Sequence, residues 1–107
     1  MTQETAVSSK ARRRADLALV GGYYEARLAE LLERVRDGFA RYDAGELDAF
    51  DLDDLIHRYK RATRELWKFC GNVTGSSAHF VARILEEMQA CGESIDWWDR
   101  GNPSRGD

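Results

Sequence analysis

The sequence predicts an all-α fold: a small three-helix domain built on an antiparallel helical hairpin, with a flexible basic N-terminal arm and an aromatic C-terminal tail. Three observations carry this. Apolar residues recur at three- and four-residue steps in three separate runs, which is the period of one face of an α-helix. Glycine closes each run, at Gly45, Gly71 and Gly92, where the left-handed conformation of a helix end costs a residue without Cβ nothing. The connections between runs are short, and short connections join antiparallel neighbours. With 107 residues, 43% hydrophobic and 33% charged, the chain has the size of one domain around one modest core.

Residues 1 to 14 carry Lys10, Arg12, Arg13 and Arg14 against Glu4, a net +3 in a chain of net −3, so the remainder carries −6. They are polar and small without apolar periodicity, which predicts a flexible arm over 1–14, a single helical domain over 15–100 and a flexible tail over 101–107. Gly21-Gly22 punctuates the chain ahead of the first helix. From Tyr23 to Tyr42, the residues Leu28, Leu31, Leu32, Val35, Phe39 and Tyr42 form one stripe, stopped by Gly45.

Asp51 stands where the N-cap of the second helix is expected, with Asp53 and Asp54 in a first turn whose dipole favours negative charge. Leu55, Ile56, Tyr59, Ala62, Thr63, Leu66, Trp67, Phe69 and Cys70 cover an arc of about 160° on this helix, against ~100° for an ordinary surface helix. That width predicts more than one neighbour, either a second copy of the chain or a helical protein partner, met through Ile56, Thr63 and Trp67. A loop is expected over Gly71 to Gly75. Ser76 or Ser77 then caps a third helix with Phe80, Val81, Ile84, Leu85, Met88 and Cys91 on one face. In the tail, at least one of Trp97 and Trp98 is expected in the core, and the pair completes the predicted partner-binding set because aromatics dominate interface energetics.

The run DAGELDAFDLDD, Asp43 to Asp54, holds six carboxylates and no base. Read as a calcium loop from Asp43, its diagnostic positions would be Gly45, Leu47, Asp48 and Asp54, none of which fits the required pattern of oxygen ligands, glycine and terminal glutamate. The run is therefore read as the end of one helix and the start of the next. Glu30-x-x-Glu33 followed after seventeen residues by Asp51-x-x-Asp54 resembles the spacing of the all-α nucleotide pyrophosphohydrolases of the MazG type. That resemblance implies magnesium held by Glu30, Glu33, Asp51 and Asp54, with Asp51 departing from the glutamate the family uses. On the first helix Glu30 and Glu33 lie roughly 140–200° from the apolar stripe, so this set faces solvent unless a second copy covers it.

A basic arm of Lys10, Arg12, Arg13 and Arg14 and a basic face of Lys60, Arg61, Arg64 and Lys68 together suggest nucleic acid as an alternative partner. His57 and His79 sit among charged residues and are read as solvated. Cys70 and Cys91 close different helices, and in an antiparallel pair those ends lie about 20 Å apart, too far for a disulfide, so both are expected as buried free thiols. No apolar stretch is long enough for a membrane span or a secretory signal, which makes the cytoplasm the expected compartment. No nucleophile, base and orienting group converge. The leading expectation is thus a non-enzymatic helical interaction or regulatory module without a cofactor, with nucleic-acid binding and magnesium-dependent hydrolysis as alternatives.

Overall fold

The computed structural model describes residues 2–71 and 77–103, and one long helix sets its dimensions. α1 (Thr2–Asp43) spans ~63 Å at 1.5 Å per residue, close to the longest extent of 66 Å, against 28 and 24 Å across. It therefore begins at Thr2 rather than at Tyr23. The backbone of the basic arm is helical from Thr2 onward, and Gly21-Gly22 interrupts nothing. A glycine in a helix interior costs about 1 kcal/mol, and here tertiary contacts on the preceding turns offset it. Val20 is fully buried, and buried Asp16 accepts hydrogen bonds from the third helix.

The glycine stops act as expected. Gly45, at φ +80°, donates to the Tyr42 carbonyl while Glu46 donates to Arg41, the paired bonds of a Schellman motif. α2 (Ala49–Cys70) follows after a short turn, and α3 (Ser77–Cys91) ends at Gly92, φ +72°, with the same bond pair, Gly92 to Gln89 and Glu93 to Met88. The α2 N-cap is Asp48, not Asp51. The two close a capping box: Asp48 Oδ1 accepts from the Asp51 amide at 2.8 Å, and Asp51 Oδ2 accepts from the Asp48 amide at 3.1 Å. Gly71, in the left-handed region, closes α2. The remainder of the expected loop, Ser76 as a cap and residues 104–107 lie outside the described residues. A fourth helix, α4 (Trp97–Arg100), is a single turn capped by Asp96.

α1 and α2 form the antiparallel hairpin. They meet closely at Gly38, where an added Cβ would stand 2.9 Å from Leu55 Cδ1. At the other end of α2, Tyr24 lies near Cys70 and Tyr59. α3 packs beside the N-terminal half of α1, through Asp16, Arg83 and His79. The core is Val20, Leu31, Ala62, Leu66, Cys70, Ala78, Val81, Ala82, Leu85 and Trp97. On α3 the buried face is Ala78, Val81, Ala82 and Leu85, whereas Phe80, Ile84 and Cys91, assigned to the same apolar face from sequence, are exposed. No helix among the described residues is long and apolar enough to cross a membrane.

The tail packs further than expected. The Trp97 indole Nε1 donates to the Tyr23 hydroxyl at 2.9 Å, and its ring lies 5.2 Å from that of Phe69. Gly101 is buried against α2, where a Cβ would stand 2.5 Å from the Arg58 carbonyl oxygen, so the packed chain reaches at least one residue beyond α4.

Candidate interaction surface

Taking the α2-facing direction of α1 at Gly38 as zero and ~100° per residue, Leu31 lies about 20° from it, while Leu28, Leu32, Val35 and Phe39 lie about 60–120° to one side. On α2, measured from Ala62, Ile56, Thr63 and Trp67 lie about 100–140° to the same side of the hairpin. Arg34, Arg58 and Arg61 point to the other side, and that side is where α4 docks. Arg58 donates to the Trp98 carbonyl and Arg61 to that of Gly101, and the Arg58 and Arg34 guanidinium carbons lie 4.6 and 5.4 Å from the Trp98 ring centroid. Asp16, which binds α3, is on that side too. Both α3 and α4 therefore cover one face of the hairpin, and among the described residues nothing covers the opposite one.

The bare face is apolar. Leu32, Phe39, Tyr42 and Trp67 are 49%, 48%, 42% and 48% exposed, and Val35, Ile56 and Thr63 are half-buried between them. The Thr63 hydroxyl donates to the Lys60 carbonyl within its own helix, so it asks nothing of a neighbour. Single exposed apolar residues are ordinary on any surface, whereas these form a stripe over two adjacent helices. Of the sequence-predicted partner set, Ile56, Thr63 and Trp67 lie on this face. Trp98 does not, being half-buried under Arg58 on the other side. Trp97 is 4% exposed and presents no ring to a partner, because the core takes it. Leu32, Phe39 and Tyr42, expected on the apolar stripe of the first helix, belong to the bare face.

The other predicted sets are less well gathered. Glu30 pairs with Arg27 at 2.8 Å and Glu33 with Arg36 at 3.2 Å on an exposed surface, and the Asp51 carboxylate is engaged in the capping box. Among the described residues, no group of three or more His, Cys, Asp or Glu side chains is placed to hold a metal ion. Lys10, Arg12, Arg13 and Arg14 are exposed. Since Tyr24 lies near the C-terminal end of α2, the arm sits ~15 Å or more further along α1 than that end, and it does not merge with the α2 bases. Within the α2 set, Lys68 pairs with Glu65 and Arg61 holds the tail, leaving Lys60 and Arg64 exposed without an ion pair among the described residues.

His57 is exposed beside Asp53 at 3.3 Å, whereas His79 contacts the buried carboxylate of Asp16 at 3.4 Å. Asp16 also binds Arg83 Nη2, and this cluster ties α1 to α3 across the helix pair, a role that sequence spacing does not reveal. Both cysteines are free. Cys70 is buried as expected and its thiol is pushed up to about 11 by burial, but Cys91 is exposed at the end of α3. Burial likewise raises the Tyr23 hydroxyl above its ordinary value, opposed by the Trp97 hydrogen bond and the nearby Arg27.

No protein-family model, no curated protein and no solved structure matches the chain.

Proposed function

We propose that the protein is a non-enzymatic helical interaction module, acting in the cytoplasm, whose working surface is the bare face of the α1–α2 hairpin. The observation that carries the reading is the stripe of Leu32, Phe39, Tyr42 and Trp67, each more than two-fifths exposed, on the one hairpin face that neither α3 nor α4 covers. Aromatic side chains in such a stripe supply large contact area at low entropic cost, and a second helical pair laid on it completes a four-helix arrangement. The magnesium alternative lacks support of this kind, because Glu30 and Glu33 pair with Arg27 and Arg36 and the Asp51 carboxylate is engaged in the capping box.

The test is site-specific photocrosslinking in the native cell. A photoreactive phenylalanine analogue placed at Phe39 or Trp67 is expected to capture a protein, while the same group at Glu30 or Glu33 is not. Equal capture at all four positions, or none at any, would contradict the reading.

A second reading, nucleic-acid binding, draws on the exposure of Lys10, Arg12, Arg13 and Arg14 on the N-terminal turns of α1. It predicts binding to a mixed-sequence duplex that weakens steeply with salt and is lost when the four are changed to Ser. Binding that is absent at low salt would dismiss it.

A further inference from the structure

We propose that the occupant of the bare hairpin face is a second copy of this chain, packed about a two-fold axis so that α2 of one copy runs antiparallel to α2 of the other. The proposal rests on the reading of that face as the working surface, and adds the identity of the partner and its orientation.

Two observations favour a second copy. The first is area. The four most exposed side chains of the stripe leave on the order of 400 Å² in water, at residual exposures near one half. Val35, Ile56 and Thr63, half-buried between them, bring the face toward the ~800 Å² per partner of a standard interface. An isologous contact uses the same patch twice, so no second surface has to be found on a partner.

The second observation is charge. The rim of the stripe on α2 is acidic toward its N-terminal end, at Asp53, and basic toward its C-terminal end, at Lys60 and Arg64, the two ends lying ~16 Å apart along the helix. A parallel neighbour would set like charges against each other. An antiparallel copy sets Asp53 of each chain near Arg64 of the other, and the pairing occurs twice across the two-fold axis. Asp53 pairs with His57 at 3.3 Å, and among the described residues neither Asp53 nor Arg64 has an ion pair to another helix, so both are available. Asp53 near the start of α2 and the bases Lys60 and Arg64 further along it thus form a self-complementary edge.

The test uses full-length chains. Sedimentation velocity of the wild type between about 1 and 100 µM is expected to show monomer converting to dimer. Asp53→Lys and Arg64→Glu, both at exposed positions, should each weaken self-association about tenfold at low salt, since each turns two attractive pairs into repulsive ones. Circular dichroism melts check that both variants fold. Mixed in equal amounts, the two variants should recover wild-type affinity as a heterodimer, because both cross-chain pairs are then of opposite sign. Weakening without recovery on mixing would overturn the antiparallel α2 pairing. A wild type that stays monomeric while Phe39 and Trp67 still crosslink to another protein would overturn the second copy and leave the interaction reading standing. Failure of both experiments would remove both.

Discussion

Two adjacent tryptophans offer the sharpest test of how the tail is held. Trp97 is 4% exposed, hydrogen-bonded to Tyr23 and packed against Phe69, whereas Trp98 is half-buried beneath two arginines. Trp97→Ala empties a core position that the surrounding helices cannot refill, a change costing about 3–5 kcal/mol. Against a total of about 5–15 kcal/mol for such a domain, that is a large fraction. At ~4–8 °C per kcal/mol, the melting temperature falls by roughly 12–40 °C. Trp97→Phe keeps a ring and loses the bond to the Tyr23 hydroxyl, which is half-buried and can turn to water, so about 1–2 kcal/mol is expected. Trp98→Ala removes cation–π contacts at a partly solvated site, again about 1–2 kcal/mol. The assay is urea denaturation followed by far-ultraviolet circular dichroism at one fixed protein concentration, since association would add to apparent stability. A cost for Trp97→Ala no greater than that for Trp98→Ala would refute the placement of Trp97 in the core.

Gly101→Ala would place its Cβ 2.5 Å from the Arg58 carbonyl oxygen and 2.9 Å from the Ala62 amide nitrogen, both backbone atoms. Thermal melts should show a loss of about 1–3 kcal/mol, the usual cost of overpacking. Asp48→Ala breaks the capping box and should cost about 1 kcal/mol in the same assay. The exposed Cys91 should react with a thiol reagent at pH 8 in the native state, while the buried Cys70 reacts only on unfolding. Because the folded Cys70 thiol is raised from 9.0 to about 11, its contribution is fully present below pH 9 and is lost as pH rises from there toward 11. Cys70→Ala should therefore lose stability less steeply than the wild type across that interval in urea midpoints. Equal slopes would contradict the burial argument.

The helical class, the hairpin and the glycine stops were legible because they depend on local chemistry: period, left-handed backbone and capping. The length of α1 was not. Nothing in residues 2–14 or in Gly21-Gly22 favours a helix strongly, and the continuity comes from Val20 and Asp16 docking on neighbours distant in sequence. The N-cap was displaced by three residues because the acidic run holds several candidate caps, and only the reciprocal bonds of Asp48 and Asp51 distinguish them.

The bare face was half legible. The wide arc of α2 pointed to Ile56, Thr63 and Trp67, whereas the apolar stripe of α1 gives no sign that Leu32, Phe39 and Tyr42 stand bare. Periodicity locates an apolar stripe but not the direction from which the neighbour approaches. On α1 that direction is marked by Gly38, which contributes nothing to a hydrophobic pattern and packs against Leu55 and Leu52 of α2. Turning α1 toward Gly38 buries Leu31 and leaves the bulkier stripe bare. The choice between Trp97 and Trp98 likewise depends on where Tyr23 and Phe69 stand in three dimensions.

The most direct measurement is sedimentation equilibrium of the full chain beside the double variant Phe39→Glu, Trp67→Glu. The account predicts a wild-type mass near twice 12.2 kDa at tens of micromolar, and a variant at 12.2 kDa whose melt is no lower than that of the wild type at matched low concentration. A wild type at 12.2 kDa at every concentration, with a variant that unfolds, would mean that Phe39 and Trp67 serve the fold rather than an interface.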